Sequence, residues 1–459
     1  MKTRVLYLLL FIKGMMLIPF LANAAPQAII TVDSLADEMV NDGNCTLREA
    51  VEAANTNSPV DECRPGSSVF QDLIIFRDDG VIMLSDALVI TQAVEIRGNG
   101  ENVTILDGTT ANLSTALVYA SWVDGNPNMD LTHLTVQNAV SSTGLGGAIY
   151  SQSPVSLKVD HVTLSFNSAG NGGGIFTSGN ITIQNSQFLS NTVTGSGGAL
   201  HITNGTLTVE QSTFQGNLVQ GSGGAIQLNN GTASISYGTF SQNRAESDLS
   251  TGGGLSLLNS LATITHSAIL KNHAESSGGG LYLGNSQVTI INSTLSANSA
   301  SLGGGIHANN NAIIDAHNNT FVANIGGGIV LFSSSAIFQD TIIGENEWVN
   351  CHSQFDSTLQ SLGHNLIDFN TCQFDQPTDI STGQALFDSV LGPLQANGGT
   401  TLTHALLPGS AAIDAGHCSG LSIADDQRNV PRPQGQACDI GSFEYEGTLW
   451  KIYLPLISR

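Results

Sequence analysis

One side chain suited to contact a sugar recurs in nearly every repeat of a pattern that fills the middle of the chain. In chain order, the position holds Tyr150, Phe176, His201, Gln227, Ser256, Tyr282, His307 and Val330. Flat rings suit the apolar faces of sugars, and Gln and His hydrogen-bond hydroxyl groups. All of these except Ser256 and Val330 are therefore predicted to bind a glycan. The alternative is a self-stacking row that only stiffens a sheet, because cross-strand aromatic pairs stabilise by roughly 0.2–1 kcal/mol each.

Carboxylates placed for glycoside cleavage are sparse. Asp160 and Glu210 hold equivalent positions in repeats that lie two apart, which puts them about 9.6 Å apart at β-strand spacing. That is near the upper limit for an inverting carboxylate pair. Between residues 134 and 345 only three cations occur, namely Lys158, Arg244 and Lys271. Solvated surface carboxylates are the expected interpretation, so no catalytic residue is predicted. The alternative is a lyase or hydrolase that acts on acidic polysaccharide.

The spacing of His and Cys predicts neither a metal nor a cofactor. The eleven His are scattered, and no C-x-x-C or H-x-x-x-H spacing occurs. The Gly/Asp nonapeptide repeat that binds Ca²⁺ in β-solenoids is also absent from the sequence.

A second repeating pattern shows how these residues are positioned. Gly-Gly-(Ala or Gly)-(Ile or Leu) occurs eight times at intervals of 23–29 residues, and the copies begin at Gly146, Gly172, Gly197, Gly223, Gly252, Gly278, Gly303 and Gly326. A fixed period in this range is typical of a solenoid of stacked repeats.

Each repeat also contains short runs in which apolar residues alternate with polar ones. Ile181-Thr-Ile183 and Leu207-Thr-Val209 lie before an apolar residue and an Asn three positions later, and Leu200-His-Ile202 follows a Gly pair. Such alternation indicates strands with one buried face, and no repeat contains a ten-residue stretch of helical periodicity. The sequence therefore predicts an all-β, single-stranded parallel β-helix. Its interior is predicted to hold an Asn ladder at one turn and a buried ladder formed by Phe188, Phe214, Phe240, Leu295 and Phe321.

A predicted export signal and a strongly negative charge both argue against nucleic acid as a partner. Residues 1–24 have a basic start, an apolar stretch and an A-x-A site at Ala22-Asn-Ala24, which predicts an export signal. Lys13 interrupts the stretch, so a membrane span is not predicted. Removal of the signal takes away three of 14 cations and none of 37 acids, so the mature charge is 11 − 37 = −26. Nucleic acid and anionic membranes are poor partners for that charge.

The ends of the solenoid carry features that the repeats lack. All six Cys flank the repeats and fall into neighbouring pairs, which predicts the disulfides Cys45–Cys63, Cys351–Cys372 and Cys418–Cys438. Thr46 and Glu49 form a capping-box pattern at the start of an apolar helical stripe. A short amphipathic helix is therefore predicted to cap the first coil. Near the C-terminus an ion-paired scaffold that replaces the lost strand pairing is predicted, formed by Asp414, Asp426, Arg428, Arg432 and Asp439. The alternative is that this cluster is a site.

The sequence also resembles known families. Cys45-Thr-Leu-Arg-Glu-Ala-Val51 is similar to the N-terminal motif of bacterial CSLREA-type exported proteins, and the Gly-Gly-Ala-Ile and Phe-x-x-Asn repeats resemble those of polymorphic outer membrane proteins. His404-Ala-Leu-Leu-Pro-Gly-Ser-Ala-Ala-Ile-Asp-Ala-Gly416 and Cys438-Asp-Ile-Gly-Ser-Phe-Glu444 resemble the choice-of-anchor module of bacterial β-helix surface proteins. The resemblance implies export and a right-handed, pectate-lyase-like solenoid, and it implies no chemistry.

Together these patterns predict an exported protein, secreted or on the cell surface, with a structural, adhesive or glycan-binding role. Its partner would be a polysaccharide or a ligand on a host or cell surface. The expected organisation is a signal peptide (1–24), an N-terminal cap (25–66), the β-helix (67–345), terminal coils with the anchor-like module (346–445) and a C-terminal tail (446–459). The tail is expected to be either a sorting tag or a plain terminal strand.

Overall fold

The structure is a computed structural model, and it describes residues 27–111, 116–121, 128–141, 144–152, 155–387, 389–418 and 424–447. The predicted signal peptide, and the tail from residue 448 onward, lie outside the described residues. Within the described ranges the chain forms 43 strands and one helix, which confirms the all-β class. No helix in this part of the chain is long and apolar enough to cross a membrane.

Sheet 1 is the largest sheet and contains 24 strands, most of them in two successive positions of each coil. Its strands pair in parallel, each with its counterpart one coil away. They are Ile29–Val32, Asp72–Phe76, Gly80–Met83, Val94–Arg97, Thr104–Asp107, Asn128–Gln137, Ser156–Ser165, Ile181–Gln184, Gln187–Leu189, Thr206–Glu210, Thr213–Gln215, Thr232–Ser236, Thr239–Ser241, Leu261–Thr265, Ala268–Leu270, Gln287–Ile291, Thr294–Ser296, Ile313–His317, Thr320–Val322, Ser335–Gln339, Ile342–Gly344, Thr358–Ser361, Leu366–Ile367 and Ile380–Ser381.

Two further parallel sheets complete the coils. Sheet 2 has 11 strands: Leu88–Ile90, Val118–Ala120, Ile149–Ser151, Ile175–Thr177, Leu200–Thr203, Ile226–Asn229, Leu255–Leu258, Leu281–Gly284, Ile306–Asn309, Ile329–Phe332 and Cys351–Gln354. Sheet 3 has six: Ser168–Ala169, Thr192–Val193, Leu218–Val219, Arg244–Ala245, His273–Ser277 and Ser299–Leu302. Sheet 2 contributes one strand per coil, so the solenoid has eleven coils there.

Corners between strands depend on residues that adopt positive φ. In one coil, Gln211 (φ 47°) bends the chain within sheet 1, Gly216 (φ 65°) leads into sheet 3, and Asn230 (φ 54°) returns the chain from sheet 2 to sheet 1. Asn tolerates the left-handed region better than most residues, and Asn204, Asn230, Asn259, Asn285 and Asn310 occupy the last corner in five successive coils. The corners keep each coil in register with the next.

The predicted apolar ladder is confirmed. Phe188 and Phe214 stack with ring centroids 4.5 Å apart, and Phe214 and Phe240 stack at 4.9 Å. Leu295 and Phe321 continue the same column and are also fully buried.

The predicted Asn ladder is confirmed as well. Asn217 Nδ2 donates to Asn243 Oδ1 (2.9 Å) and to Phe188 O (3.0 Å), while Asn217 Oδ1 accepts from the backbone and side chain of Asn191. The same bonds recur from Asn167 to Asn346. Each of these amides therefore satisfies its own hydrogen bonds and those of the turn inside the core.

The N-terminal cap has the predicted form. The helix spans Leu47–Thr56, Thr46 and Glu49 make the capping box, and Leu47, Ala50 and Val51 face the interior. The three predicted disulfides are present as Cys45–Cys63, Cys351–Cys372 and Cys418–Cys438.

The segment that follows the last coil differs from expectation. Residues 385–447, here called the C-terminal module, contain an antiparallel hairpin, Leu391–Gln395 with Thr403–Leu406. The module packs sideways on sheet 1, where Leu386 and Ile440 share an apolar cluster with Val322, Ile342 and Leu366. The acids and Arg of the module were expected to replace strand pairing at the end of the solenoid. They lie instead beside sheet 1, so the expected location is wrong.

The expected ion pairs of the module are present and buried. Arg428 pairs with Asp426 at 2.7 Å, and Arg432 pairs with Glu444 at 3.0 Å. The module is joined to the solenoid by hydrogen bonds such as that from Thr294 Oγ1 to Gln427 Oε1, 2.6 Å long.

Candidate functional site

The recurring aromatic position lies on the outer side of sheet 2, in the register that the sequence predicts. Ring centroids are 5.6 Å apart for Tyr150 and Phe176, and 5.1 Å apart for Phe176 and His201. Farther along, Tyr282 and His307 are 5.7 Å apart. The column of Tyr150, Phe176, His201, Gln227, Ser256, Tyr282 and His307, with Tyr119 one coil before it, is here called the aromatic row.

Further ring residues, which the sequence did not predict, extend the row at both ends. Tyr119 lies 5.2 Å from Tyr150, and Phe332 lies between His307 and Phe355 at 5.1 and 5.5 Å. Tyr119 precedes the first Gly-Gly copy, and Phe332 stands two positions beyond the repeated site. The Gly-Gly repeat therefore carries no signal for either residue.

The side chains of the aromatic row are less exposed to solvent than their outward direction suggests. His201, Gln227 and His307 are only 8%, 2% and 4% exposed, and Ser256 and Val330 are fully buried, so the outward position is not open to solvent in these five coils. Tyr150, Phe176 and Tyr282 are half-buried. Alternation determines which way a side chain leaves the sheet, but it does not show what covers that side chain.

The cover comes from the Gly-Gly turn. Gly197 has φ 71°, and a Cβ there would lie 2.4 Å from Leu200 O and 2.9 Å from His201 Cβ. Glycine lets the turn fold back on its own strand, and Ser196 O then lies 3.3 Å from His201 Nδ1. The repeated Gly pair thus shields the residue four positions after it.

Burial also sets the charge of the row. It lowers the pKa of His201 to about 4, opposed in part by the contact with Ser196, and it lowers the pKa of His307 to about 4. Both rings are therefore neutral at neutral pH.

Several polar atoms of the row are buried without a hydrogen-bond partner in the described structure. They are Gln227 Oε1, Ser256 Oγ, and both ring nitrogens of His307. A buried unpaired polar group costs about 1–3 kcal/mol, so unpaired groups in successive coils are unusual. The half-buried rings of Tyr150, Phe176 and Tyr282 are the part of the row that a ligand can reach.

An amide groove runs along the next corner of the coil. It has a volume of about 630 Å³, and its Asn residues are Asn204, Asn230, Asn259, Asn285 and Asn311. Asn285 donates to Asn259 Oδ1 at 2.8 Å. None of the described residues that line the groove is charged. The groove adjoins the aromatic row, because its residues Asn230, Asn259 and Asn285 follow Gln227, Ser256 and Tyr282 by three positions.

A charged cluster lies on a different face, the outer side of sheet 1 in the early coils. It consists of Glu95, Arg97, Asp130, Lys158 and Asp160. Glu95, Asp130 and Lys158 are paired across successive strands. Arg97 and Asp160 lie two coils apart in the neighbouring outward column, with Thr132 between them. Arg97 pairs with Glu95 at 2.7 Å, and Lys158 pairs with Asp160 at 3.2 Å.

The two Asp residues of the cluster have opposite pKa shifts. Burial raises the pKa of Asp130 and the Glu95 charge adds to this, while Gln71 and Lys158 oppose it. Burial alone would also raise the pKa of Asp160, but hydrogen bonds from Asn185, Lys158 and His161 outweigh it and lower that pKa. Neighbouring carboxyls whose pKa values are shifted in opposite directions are typical of acid–base sites.

Neither Glu95 nor Asp130 was predicted from the sequence. Both precede the first Gly-Gly copy, so the repeat assigned them no register. The available signal was the alternation in Val94-Glu-Ile96 and Met129-Asp-Leu131. The register expected for Asp160 and Glu210 is correct, because Gln184 lies between them and donates to Glu210 at 3.0 Å. Within the described ranges, no group of three or more His, Cys, Asp or Glu is arranged to hold a metal ion.

Comparison with known proteins concerns the fold. A family model described as the right handed beta helix region matches residues 197–372, and no curated protein matches the chain. The chain is similar to the A-module of mannuronan C-5 epimerase AlgE4 from Azotobacter vinelandii, with 13% identity, coverage of 72% of this chain and 97% of that one, and a TM-score of 0.37.

Two other solved structures show a similar level of likeness. Pectate lyase Pel9A has 13% identity, coverage of 91% of this chain and 96% of that one, and a TM-score of 0.36. The periplasmic alginate epimerase AlgG has 12% identity, coverage of 63% and 77%, and a TM-score of 0.38. Scores this low carry no inference about chemistry. The parallel β-helix predicted from the repeats is confirmed, and over residues 197–372 the chain matches the right-handed form.

Proposed function

We propose that the protein is an exported β-helix that binds a polysaccharide along the aromatic row and the adjoining amide groove. One observation carries the proposal: the half-buried rings of Tyr150, Phe176 and Tyr282 stand in a column that adjoins an uncharged groove lined by Asn side chains. Rings offer apolar faces to sugars, and amides offer hydrogen bonds to hydroxyl groups.

The repeat of the site suits a polymer. Equivalent residues recur at the strand spacing of ~4.8 Å, which is close to the length of one sugar unit in an extended chain. The row and the groove both run along the axis of the solenoid. A linear glycan laid along that axis would meet the same kind of contact in each coil, so weak contacts would add up over its length.

Charge favours a neutral polymer. The described residues that line the groove are amides, hydroxyls, glycines and aliphatic side chains, and both buried His of the row are neutral because their pKa values are lowered. The whole chain carries a formal net charge of −23. An acidic polysaccharide would be repelled by that charge.

Export and a surface or secreted location are part of the proposal. The signal-like residues 1–24 support export, and so does the resemblance of Cys45-Thr-Leu-Arg-Glu-Ala-Val51 to CSLREA-type exported proteins. Three disulfides fit an oxidising compartment. The tail from residue 446 would serve to sort or anchor the protein. Fractionation of the producing cell, followed by immunoblotting, tests the location.

Binding is tested on a glycan array with the mature chain and the double variant Tyr150→Ala, Phe176→Ala. The parent should bind one or more neutral polysaccharides, and the double variant should lose at least tenfold in affinity. Phe369→Ala is the matched control, because this ring is 58% exposed and lies outside the row. If the parent binds no glycan, or the double variant binds like the control, the proposed function is wrong.

A further inference from the structure

We propose that the charged cluster is a second site, at which Asp130 and Asp160 hydrolyse a glycosidic bond with inversion at the anomeric carbon. The site lies on sheet 1, whereas the aromatic row lies on sheet 2. It therefore adds an activity to the proposed binding function and does not depend on the aromatic row.

Separation of the two carboxyls follows from the strand register. Asp130 pairs with Lys158, and Asp160 lies two residues farther along the Lys158 strand. One strand spacing of ~4.8 Å and two residue rises of ~3.3 Å place the Cα atoms of Asp130 and Asp160 about 8 Å apart, and side chains that leave the sheet on the same side keep a similar spacing. Inverting glycosidases hold their carboxyls roughly 6.5–9.5 Å apart to leave room for water, and retaining enzymes hold them about 5–5.5 Å apart. The register therefore fits inversion.

Both carboxyls face the same way. Leu131 and Val159 point into the core, so their neighbours Asp130, Lys158 and Asp160 leave the sheet on its outer side. Lys158 is 40% exposed and His161 is 47% exposed. The side chain of Asp160 is 19% exposed, so solvent reaches this face, as binding of a polymer requires.

The surroundings assign the two roles. Asp130 is half-buried opposite Glu95, and its raised pKa favours the protonated form that a general acid needs. Asp160 accepts hydrogen bonds from His161 (2.8 Å) and Asn185 (3.1 Å) and pairs with Lys158. These contacts keep Asp160 ionised, as a general base must be.

The reaction consumes one water. Asp130 gives its proton to the glycosidic oxygen as the bond from that oxygen to the anomeric carbon breaks. Asp160 takes a proton from a water molecule whose oxygen bonds to the same carbon from the opposite face. The products are two shorter chains, one with a new reducing end. Exchange of protons with solvent then restores Asp130 and Asp160.

The cations of the cluster favour a neutral substrate. Glu95 holds Arg97 through two hydrogen bonds, 2.7 and 2.9 Å long, and Asp160 holds Lys158 at 3.2 Å. Neither cation is left to neutralise a uronate carboxylate. The substrate class is therefore a neutral polysaccharide, the same class that the amide groove fits.

The test measures reducing ends released by the mature chain from xylan, arabinan, galactan and mixed-linkage glucan, with pectin and alginate as acidic comparisons. At least one neutral polymer should be cleaved, and proton NMR should show the inverted anomer first. Asp130→Asn and Asp160→Asn should each lower the rate at least 100-fold, within the range for loss of an acid or base. Glu210→Gln, from the same outward column as Asp160, should stay within twofold.

Three results would overturn the proposal. The first is that no polymer yields reducing ends. The second is retention of configuration, or unsaturated ends that indicate elimination. The third is that Asp130→Asn keeps its activity while its circular dichroism and melting temperature match the parent. Glycan-array binding with no cleavage would leave the proposed binding function intact and remove only this activity.

Discussion

At the scale of single residues, buried ion pairs stabilise the C-terminal module. Arg432 Nη1 donates to Glu444 Oε2 (3.0 Å) and Asp439 O (2.8 Å), and Nη2 donates to Gly441 O (2.6 Å). The side chains of Arg432 and Glu444 are 0% and 1% exposed. Removal of the cation would leave a buried carboxylate unpaired, which is strongly unfavourable.

Arg432→Met should therefore lower the free energy of unfolding by about 3–5 kcal/mol. The matched control is Arg244→Met, because Arg244 pairs with Glu246 at 2.9 Å on the surface. Exposed pairs contribute about 0–1 kcal/mol, so the control should be nearly neutral. Urea titration measures both variants. Equal effects would show that burial of the module pair is not what stabilises it.

Acid pH should strengthen the contact between the module and the solenoid. Burial raises the pKa of Asp340 to about 6, while the His417 N–H and the charges of His364, His417 and Arg432 oppose the shift. The folded state thus binds this proton more tightly than the unfolded state, whose value is near 3.8. The stability that Asp340 contributes is therefore fully present below pH ~4 and is lost as pH rises through about 6.

Asp340→Asn removes that loss, because the amide oxygen can still accept from His417 N. At pH 7.5 the variant should be more stable than the parent by up to about 3 kcal/mol, the equivalent of a two-unit pKa shift. At pH 4 the two should agree. Melting curves at both pH values provide the measurement. Burial also raises the pKa of Asp439 to about 6, so the stability of the variant still depends on pH to some extent. A variant less stable at pH 7.5 would contradict the assignment.

For single residues, the sequence predicted the direction of a side chain better than its burial. The alternation of Leu200-His201-Ile202 correctly places His201 on the outer side of sheet 2. It says nothing of the turn at Gly197 that folds over the ring. Burial depends on a contact between neighbouring segments, whereas direction depends only on strand geometry.

The elements of the solenoid are stabilised by two internal ladders. Phe214 is fully buried, with Phe188 and Phe240 stacked on either side. Phe214→Ala should cost about 3–5 kcal/mol, because the rigid coils cannot close the cavity. Urea titration against Phe369→Ala, whose ring is 58% exposed, provides the measurement. A cost below about 1 kcal/mol would show that the core repacks.

Asn side chains form the second ladder, and a separate prediction concerns the removal of one of them. Asn243 Nδ2 donates to Phe214 O and Asn272 Oδ1, both at 2.9 Å, and Asn243 Oδ1 accepts from Asn217 N at 3.0 Å. Asn243→Ala should cost about 3 kcal/mol or more, since each buried group left unpaired costs about 1–3 kcal/mol. Denaturant titration gives the value. If the variant is as stable as the parent, water replaces the amide.

Element prediction succeeded where a local repeat existed. The Gly-Gly spacing and the Phe-x-x-Asn pattern assigned the register of the coils from residue 146 to residue 346, and the strand pairings agree. The coils before Gly146 lack the pattern, so the pairing of Glu95 with Asp130 was missed. The lateral packing of the module was also missed, because contacts such as Thr294 with Gln427 join residues 133 positions apart and have no periodic signal.

The whole molecule is a row of coils with a disulfide in its cap, its last coils and its lateral module. In a solenoid each coil contacts only its neighbours, so stability is nearly a sum of local terms. Loss of one disulfide should therefore loosen the nearby segment and leave distant coils unchanged. Cys418 and Cys438 close a loop with a sequence separation of 20 within the module, and a loop of this size is worth about 3 kcal/mol.

Hydrogen exchange on the double variant Cys418→Ser, Cys438→Ser tests this independence. Amides of residues 389–447 should lose protection, while those of the Phe ladder from Phe188 to Phe240 should exchange as in the parent, because local opening need not involve the remaining coils. The matched variant Cys45→Ser, Cys63→Ser should loosen the helix Leu47–Thr56 and the first coil and spare the module. Uniform loss of protection in either variant would mean that cap, solenoid and module unfold as one cooperative unit.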